Sequence, residues 1–159
     1  MENGKFYIEK GIFYIYDTEL YIGMPYSEMI EQFKEDKKSK VKNEMHLRVS
    51  GNIDINTIWL QVDSIYDCAC ILTELTFEHD VLTRIEIQLS TVQMSPQEIS
   101  KVFVNNIKEQ YDLEEFEWNN ITLFSIIKNK FRLYSSTNED GITYIITLDK
   151  YNSEVAKNC

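Results

Sequence analysis

Apolar and polar residues alternate with a period of two along most of the chain, and in two stretches the period lengthens to three and four. Phe6 and Ile8, then Phe13 and Ile15, alternate on either side of Lys10-Gly11, which predicts a hairpin with arms at 5–9 and 12–16. Pro25 opens the first helical stretch, which runs to about Lys37. It sets Met29, Ile30 and Phe33 on one stripe, with Tyr26 a turn earlier. Four strands are expected next. Met45, Leu47 and Val49 alternate and turn through Ser50-Gly51-Asn52 into a strand at 53–62. Strands at 69–77 and 81–89 follow. The first has Ala69, Ile71, Leu75 and Phe77 as its apolar face, and the second has Val81, Ile85, Ile87 and Leu89.

The second helical stretch carries its own start signal. Ser95 suits an N-cap, Pro96 the first helical position, and Glu98 completes a capping box. Ile99, Val102, Phe103, Ile107 and Tyr111 then recur at helical spacing as a buried stripe. Strands at about 114–118, 121–128, 131–136 and 142–149 end the chain. Asn119-Asn120, Asn129-Lys130 and Asp140-Gly141 mark their turns.

The order ββ-αββββ-αββββ predicts an α+β fold, an antiparallel sheet with two helices on one face and the other face wet or meeting a partner. The chain reads as one domain, 1–159, with two αβ4 halves at 17–90 and 91–150 preceded by the hairpin at 5–16. Offset by 70 residues, 24–33 falls on 94–103, and Met, Glu and Phe coincide at Met24/Met94, Glu28/Glu98 and Phe33/Phe103. Such spacing is what a duplication leaves, and also what any two amphipathic helices share. If the halves are copies, Phe33 and Phe103 are buried at equivalent places.

The two middle strands also predict a register. Their apolar residues are odd-numbered, so paired numbers sum to an even value. A sum of 158 sets Glu74 opposite Arg84, Phe77 opposite Val81, and 78–80 as a three-residue loop. A sum of 160 sets Glu74 against Glu86, a like-charge contact that favours the first choice. In that register Arg84 is engaged and the rest of the face is negative.

Charge narrows the class of partner. Lys and Arg number 16 and Asp and Glu 26, for a net charge of −10, which argues against a basic face for nucleic acid or anionic membrane. Residues 49–100 hold eight acids and a single base, Arg84. Residues 109–127 hold Glu109, Asp112, Glu114, Glu115 and Glu117 and no base, with Tyr111, Phe116 and Trp118 interleaved. Such acids are commonly a solvated face. Interleaved with aromatics, they are also what steers and holds a basic protein. The partner-binding candidates are therefore Tyr111, Asp112, Glu114, Glu115, Phe116, Glu117 and Trp118, together with Glu78 and Asp80 in the acidic turn around His79.

Catalytic and metal signatures are weak. No Gly-x-Ser-x-Gly, phosphate loop, dinucleotide fingerprint or His-Glu-x-x-His occurs, and two histidines starve most acid–base schemes. Cys68-Ala69-Cys70 sets two thiols on one side of a strand, opposite the face of Ala69, Ile71, Leu75 and Phe77 and beside Glu74 and Glu78. His46 and His79 are the available nitrogens, and no second close pair completes a zinc set. Cys68, Cys70 and Cys159 lack a disulfide framework and read as reduced thiols. No catalytic residue, metal or cofactor is expected. The start of the chain has no signal-peptide pattern, and no apolar run reaches the about 18 residues of a membrane span, so the chain reads as soluble and cytoplasmic.

The segment Tyr21-Ile22-Gly23-Met24-Pro25-Tyr26-Ser27-Glu28-Met29 resembles the Gly-Met-x-x-x-Glu-hydrophobic helix start of small tandem αβ modules. Those modules include the β-lactamase inhibitor protein and the small outer-membrane assembly lipoproteins. The lipobox cysteine of the lipoproteins and the disulfides of the inhibitor have no counterpart here. As a small, acidic chain without catalytic motifs, it also resembles bacterial immunity proteins, which neutralise a cognate toxin. The expected function is a non-enzymatic binding protein, monomeric or weakly homodimeric, that blocks a basic toxin such as a nuclease. The alternative is an assembly module that binds through an exposed sheet edge or face, and a small-ligand binder or enzyme stands third.

Overall fold

The computed structural model describes residues 4–15, 18–35, 40–50, 53–61, 64–66, 68–138 and 143–151, with the side chains of 4, 33–35, 40–50, 53–54 and 61 outside that description. The expectations for the side chains of Phe33, Met45, His46, Leu47 and Val49, for the turns at Ser50-Gly51-Asn52 and Asp140-Gly141, and for Cys159 lie outside the described residues.

The fold is α+β, with two helices and antiparallel sheets. The N-terminal hairpin becomes a three-stranded sheet, β1 (Gly4–Tyr7), β2 (Ile12–Ile15) and β3 (Thr18–Tyr21). The third strand escapes a periodicity reading because only Thr18 and Leu20 mark its buried side. A 3-10 helix, Ile8–Lys10, makes the hairpin turn and ends on Gly11 at φ 64°. Gly11 is needed twice over: the backbone is left-handed there, and a Cβ would sit 2.6 Å from the Phe131 ring.

Helix α1 (Tyr26–Glu35) follows Pro25, and then come β4 (Lys40–Ser50), β5 (Ile53–Gln61), the short β6 (Ser64–Ile65), β7 (Cys68–Glu78) and β8 (Val81–Leu89). Helix α2 (Pro96–Lys108) precedes β9 (Glu114–Trp118), β10 (Ile121–Lys128), β11 (Phe131–Thr137) and β12 (Tyr144–Lys150). The α2 start is as its sequence predicts: the Ser95 Oγ accepts from the Glu98 N–H at 3.2 Å, with Pro96 as first helical residue. Its buried side is Ile99, Ser100, Phe103, Val104 and Ile107, while Val102 is half-buried.

The large sheet runs β4-β5-β7-β8-β12-β11-β10-β9, with β6 paired to β7. Strands β4 to β8 and β9 to β12 each form a meander, and the two meanders join through their last strands, β8 and β12. Period-two alternation then draws continuous rows across the sheet. Ile58, Leu75, Ile85, Leu148, Leu133 and Ile126 form one buried row, and Leu60, Thr73, Ile87 and Ile146 lie in the next. Both helices and the small sheet cover this face. Tyr26 meets Phe77 edge-on at 5.4 Å, Phe103 lies between Tyr66 and Phe124, and Phe6 stacks on Phe13 and Tyr66.

The β7–β8 hairpin corrects the expected register. Glu74 stands opposite Glu86, not Arg84, and Phe77 stands opposite Leu82, not Val81. His79 and Asp80 form a two-residue turn, both at positive φ, instead of a three-residue loop. Such a turn matches the twist of the strands it joins, but it leaves the register one residue out of phase for the apolar faces. A β-bulge between Thr76 and Phe77 restores the phase and brings Leu75 against Ile85 and Thr73 against Ile87. Burying an aliphatic side chain stabilises by about 1.5–3 kcal/mol. A cross-strand charge pair is worth roughly 0.2–1 kcal/mol, so the core decides and the carboxylates follow.

A second bulge, between Cys70 and Leu72, inverts the start of β7. Ala69 and Ile71 are exposed, whereas Cys68 is buried and Cys70 half-buried, so the expected assignment of thiols and apolar residues to opposite faces is reversed there. Val81, expected in the core, is 38% exposed, and Leu82 takes its place.

Phe103→Ala removes a fully buried ring from the contact between α2 and the sheet. We expect a loss of about 3–5 kcal/mol in urea unfolding; an unfolding midpoint unchanged from the parent would contradict this packing.

Candidate protein-binding surface

Strand β9 is the edge of the large sheet on the β10 side, and all five of its residues are exposed. It reaches that position from the end of α2. The tight turn to β10 is made by Asn119 and Asn120, both at positive φ, which asparagine tolerates better than most residues.

From Ser125 toward the start of β10 its pairing with β11 ends, and side chains complete the backbone bonding. The Phe124 N–H donates to the Ser135 Oγ at 2.8 Å and the Thr122 N–H to the Ser100 Oγ at 3.1 Å, while the Tyr144 hydroxyl donates to the Thr122 carbonyl at 2.8 Å. Burial holds the Tyr144 phenol protonated by pushing its pKa well up. The β9–β10 hairpin is thus tied to α2 and β12 by buried polar groups, which fixes the edge it presents.

Pairing of Phe116 with Leu123 and of Glu114 with Ser125 sets Glu114, Phe116 and Trp118 on the face of the sheet away from the helices. Phe116 is 51% and Trp118 39% exposed. Glu115 and Glu117 alternate to the other face. Glu115 pairs with Lys108 of α2 at 2.8 Å, an exposed ion pair worth at most about 1 kcal/mol. Glu117 accepts from the Thr122 hydroxyl at 2.8 Å. Asp112 is exposed in the connection between α2 and β9.

Tyr111 is half-buried. Its hydroxyl donates to the Glu9 carboxylate at 2.8 Å and accepts from the Ile8 N–H at 3.2 Å, tying the end of α2 to the N-terminal turn. Burial, reinforced by the bond to Glu9, pushes its pKa up to about 12. The Glu9 carboxyl is lowered by its backbone hydrogen bond and by the Tyr111 hydroxyl.

Glu78 and Asp80 lie at the β7–β8 turn, with β8, β12, β11 and β10 between them and β9. At ordinary strand spacing that is about 24 Å along the sheet. The structure therefore brings Glu114, Phe116 and Trp118 together, sets Glu115 and Glu117 behind them, and leaves Glu78 and Asp80 apart.

A row of side chains that the sequence reading did not assemble runs over the uncovered face from β5 to β9: Trp59, Glu74, Glu86, Thr147, Tyr134, Ser125 and Glu114. Beside it lie Thr57, Thr76, Arg84, Asp149 and Arg132. A shallow concavity of about 610 Å³ opens here over Trp59, Glu74, Arg84 and Asp149. The parity of each residue was legible, but the rows depend on registers between strands far apart in sequence. The Trp59 indole N–H donates to the Glu74 carboxylate at 3.2 Å, and Arg132 pairs with Asp149 at 3.0 Å beneath the Tyr134 ring. This face mixes both signs of charge, so the expectation of a uniformly negative face around the middle hairpin falls with the register that implied it.

Burial raises the Glu86 pKa, and the facing Glu74 adds to the shift while Arg84 partly offsets it. The folded state therefore holds this proton at a higher pH than the unfolded chain does. The penalty is absent below the ordinary carboxylate range and grows as pH rises above it, so stability from this group falls with rising pH. Among the described residues no group of three or more His, Cys, Asp or Glu side chains is placed to hold a metal ion, and no helix is long and apolar enough to cross a membrane.

Glu86→Gln should raise stability at neutral pH by about 0.2–1 kcal/mol and flatten the acid side of the stability profile, measured by urea unfolding between pH 4 and pH 7. An unaltered profile would show that the pair is not strained. Tyr111→Phe should lower stability by about 0.5–1.5 kcal/mol through the lost bonds to Glu9 and Ile8. If Tyr111 were instead part of a binding surface, partner affinity would fall with stability unchanged.

Comparison of the chain with protein-family models, with curated proteins and with solved structures finds no match to any of them.

Proposed function

We propose that the protein is a non-enzymatic binder of a basic protein, of the immunity type: it holds a bacterial toxin such as a nuclease and covers the basic active site. The observation that carries this reading is β9, an exposed edge strand where Glu114, Phe116 and Trp118 share one open face. A net charge of −10 steers a basic partner toward the protein, and exposed aromatics supply the contact area that holds it. Carboxylates stand in for the phosphates that lysines and arginines of a nuclease bind, so occlusion needs no chemistry from the protein itself. The resemblance to immunity proteins agrees with this reading and assigns no residue to it. The same charge disfavours nucleic acid and anionic membrane as partners, and a cytoplasmic location is where such a protein would act.

The second reading is an assembly module that docks through the uncovered sheet face. The concavity over Trp59, Glu74, Arg84 and Asp149 favours it. Salt separates the two. A steered complex loses association rate as the Debye length shrinks from about 10 Å at 0.1 M to about 3 Å at 1 M salt, whereas a mixed or apolar face responds little.

The test mixes the purified chain with candidate basic toxins, nucleases among them. The expected result is a complex whose association rate at low salt falls several-fold in Glu114→Lys, with the difference vanishing at high salt. Glu114 has no ion-pair partner among the described residues, so its reversal spares the fold. The absence of any complex at low salt would refute the reading.

A further inference from the structure

We propose that β9 takes up an extended basic segment of the partner as an additional strand of the large sheet, an inference that rests on the reading of the protein as a binder of basic proteins. β9 pairs with β10 and lies at the end of the strand order. Because Asn119-Asn120 is a two-residue turn, Trp118 and Ile121 form the hydrogen-bonded closing pair, and such pairs recur at every second residue: Phe116 with Leu123, Glu114 with Ser125. The N–H and C=O groups of Glu115 and Glu117 therefore point outward from the sheet. They form a ready ladder for one more strand. The side-chain bonds that tie β10 to α2 and β12 hold this ladder in place.

Charge selects the occupant. A second copy laid antiparallel along β9 and centred on Phe116 would set Glu115 of each chain against Glu117 of the other, which like-charge repulsion opposes. A strand bearing Lys or Arg is complementary instead. Residues of the incoming strand opposite Glu115 and Glu117 project to the helix side of the sheet, where basic side chains reach both carboxylates. The residues between them project to the open side, beside Phe116 and Trp118, where apolar or aromatic side chains fit. The segment recognised is thus one in which basic and apolar residues alternate. Self-association and capture of a basic strand are opposite outcomes of the same edge.

The experiment uses the full chain and a short, end-capped peptide that alternates Lys with Val or Phe. Two further versions are N-methylated, one at the Lys residues and one at the Val and Phe residues. If the strand adds antiparallel, as every other pair in this sheet does, the Lys amides face β9, so methylation there should weaken binding about tenfold or more, while methylation at the apolar residues should leave it nearly unchanged. Binding of the unmodified peptide should slow amide exchange at Glu115 and Glu117 by about tenfold or more, since it turns open edge groups into ladder bonds. Equal binding by all three peptides, weakened by Glu114→Lys, would overturn strand addition while leaving the basic-partner reading in place. Failure of every peptide to bind at low salt would overturn strand addition, and the basic-partner reading would then stand or fall on the complex with a basic protein alone.

Discussion

The pairing of β8 with β12 is the contact on which the rest of the structure depends. It is the seam between two meanders, each unable to bury its own apolar side, and it sets Ile85, Ile87 and Leu89 against Leu148, Ile146 and Tyr144. Through those residues the buried rows become continuous from β5 to β10, so one side of the whole sheet is apolar and the other polar. That division decides where α1, α2 and the small sheet pack. It also decides which acids and aromatics remain at the surface, because a one-residue slip at the seam would exchange the two faces.

The edge strand shows how polar groups extend this arrangement. Where the β10–β11 register ends, the backbone is completed by Ser100, Ser135 and Tyr144 from three different elements. Buried backbone groups without partners would destabilise the fold by about 1–3 kcal/mol each, so these hydroxyls hold the β9–β10 hairpin in a single position. Three glutamates in a five-residue strand also protect an edge from pairing with its own kind. The features that keep the strand open in isolation are therefore the ones that give it selectivity for a basic segment.

The Glu74–Glu86 contact illustrates the order of importance among forces in a sheet. Two bulges, one at Thr83 of β8 and one at Ile71 of β7, adjust the register to the apolar rows, and the carboxylates are carried into opposition as a consequence. Aliphatic burial outweighs a partly solvated charge pair severalfold, so charge complementarity is a poor guide to register when the two disagree.

By itself the sequence determined the elements whose signals are local. The Ser95-Pro96 helix start, the Asn119-Asn120 turn, and the order and alternation of the helices and strands other than β3 and β6 all depend on residues within a few positions of one another. It also determined the acidic, aromatic composition of 109–118, and with it the type of partner proposed. Tertiary structure alone decided which of those residues stand together. Tyr111 became a latch to Glu9 some hundred positions away, Glu115 and Glu117 turned behind the strand, and Glu78 and Asp80 came to lie four strands from the edge. The bulges that reversed Ile71 and Val81 belong to this second group as well. A bulge is a compromise between a turn's preferred twist and the phase of a distant apolar row, and no window along the chain contains both.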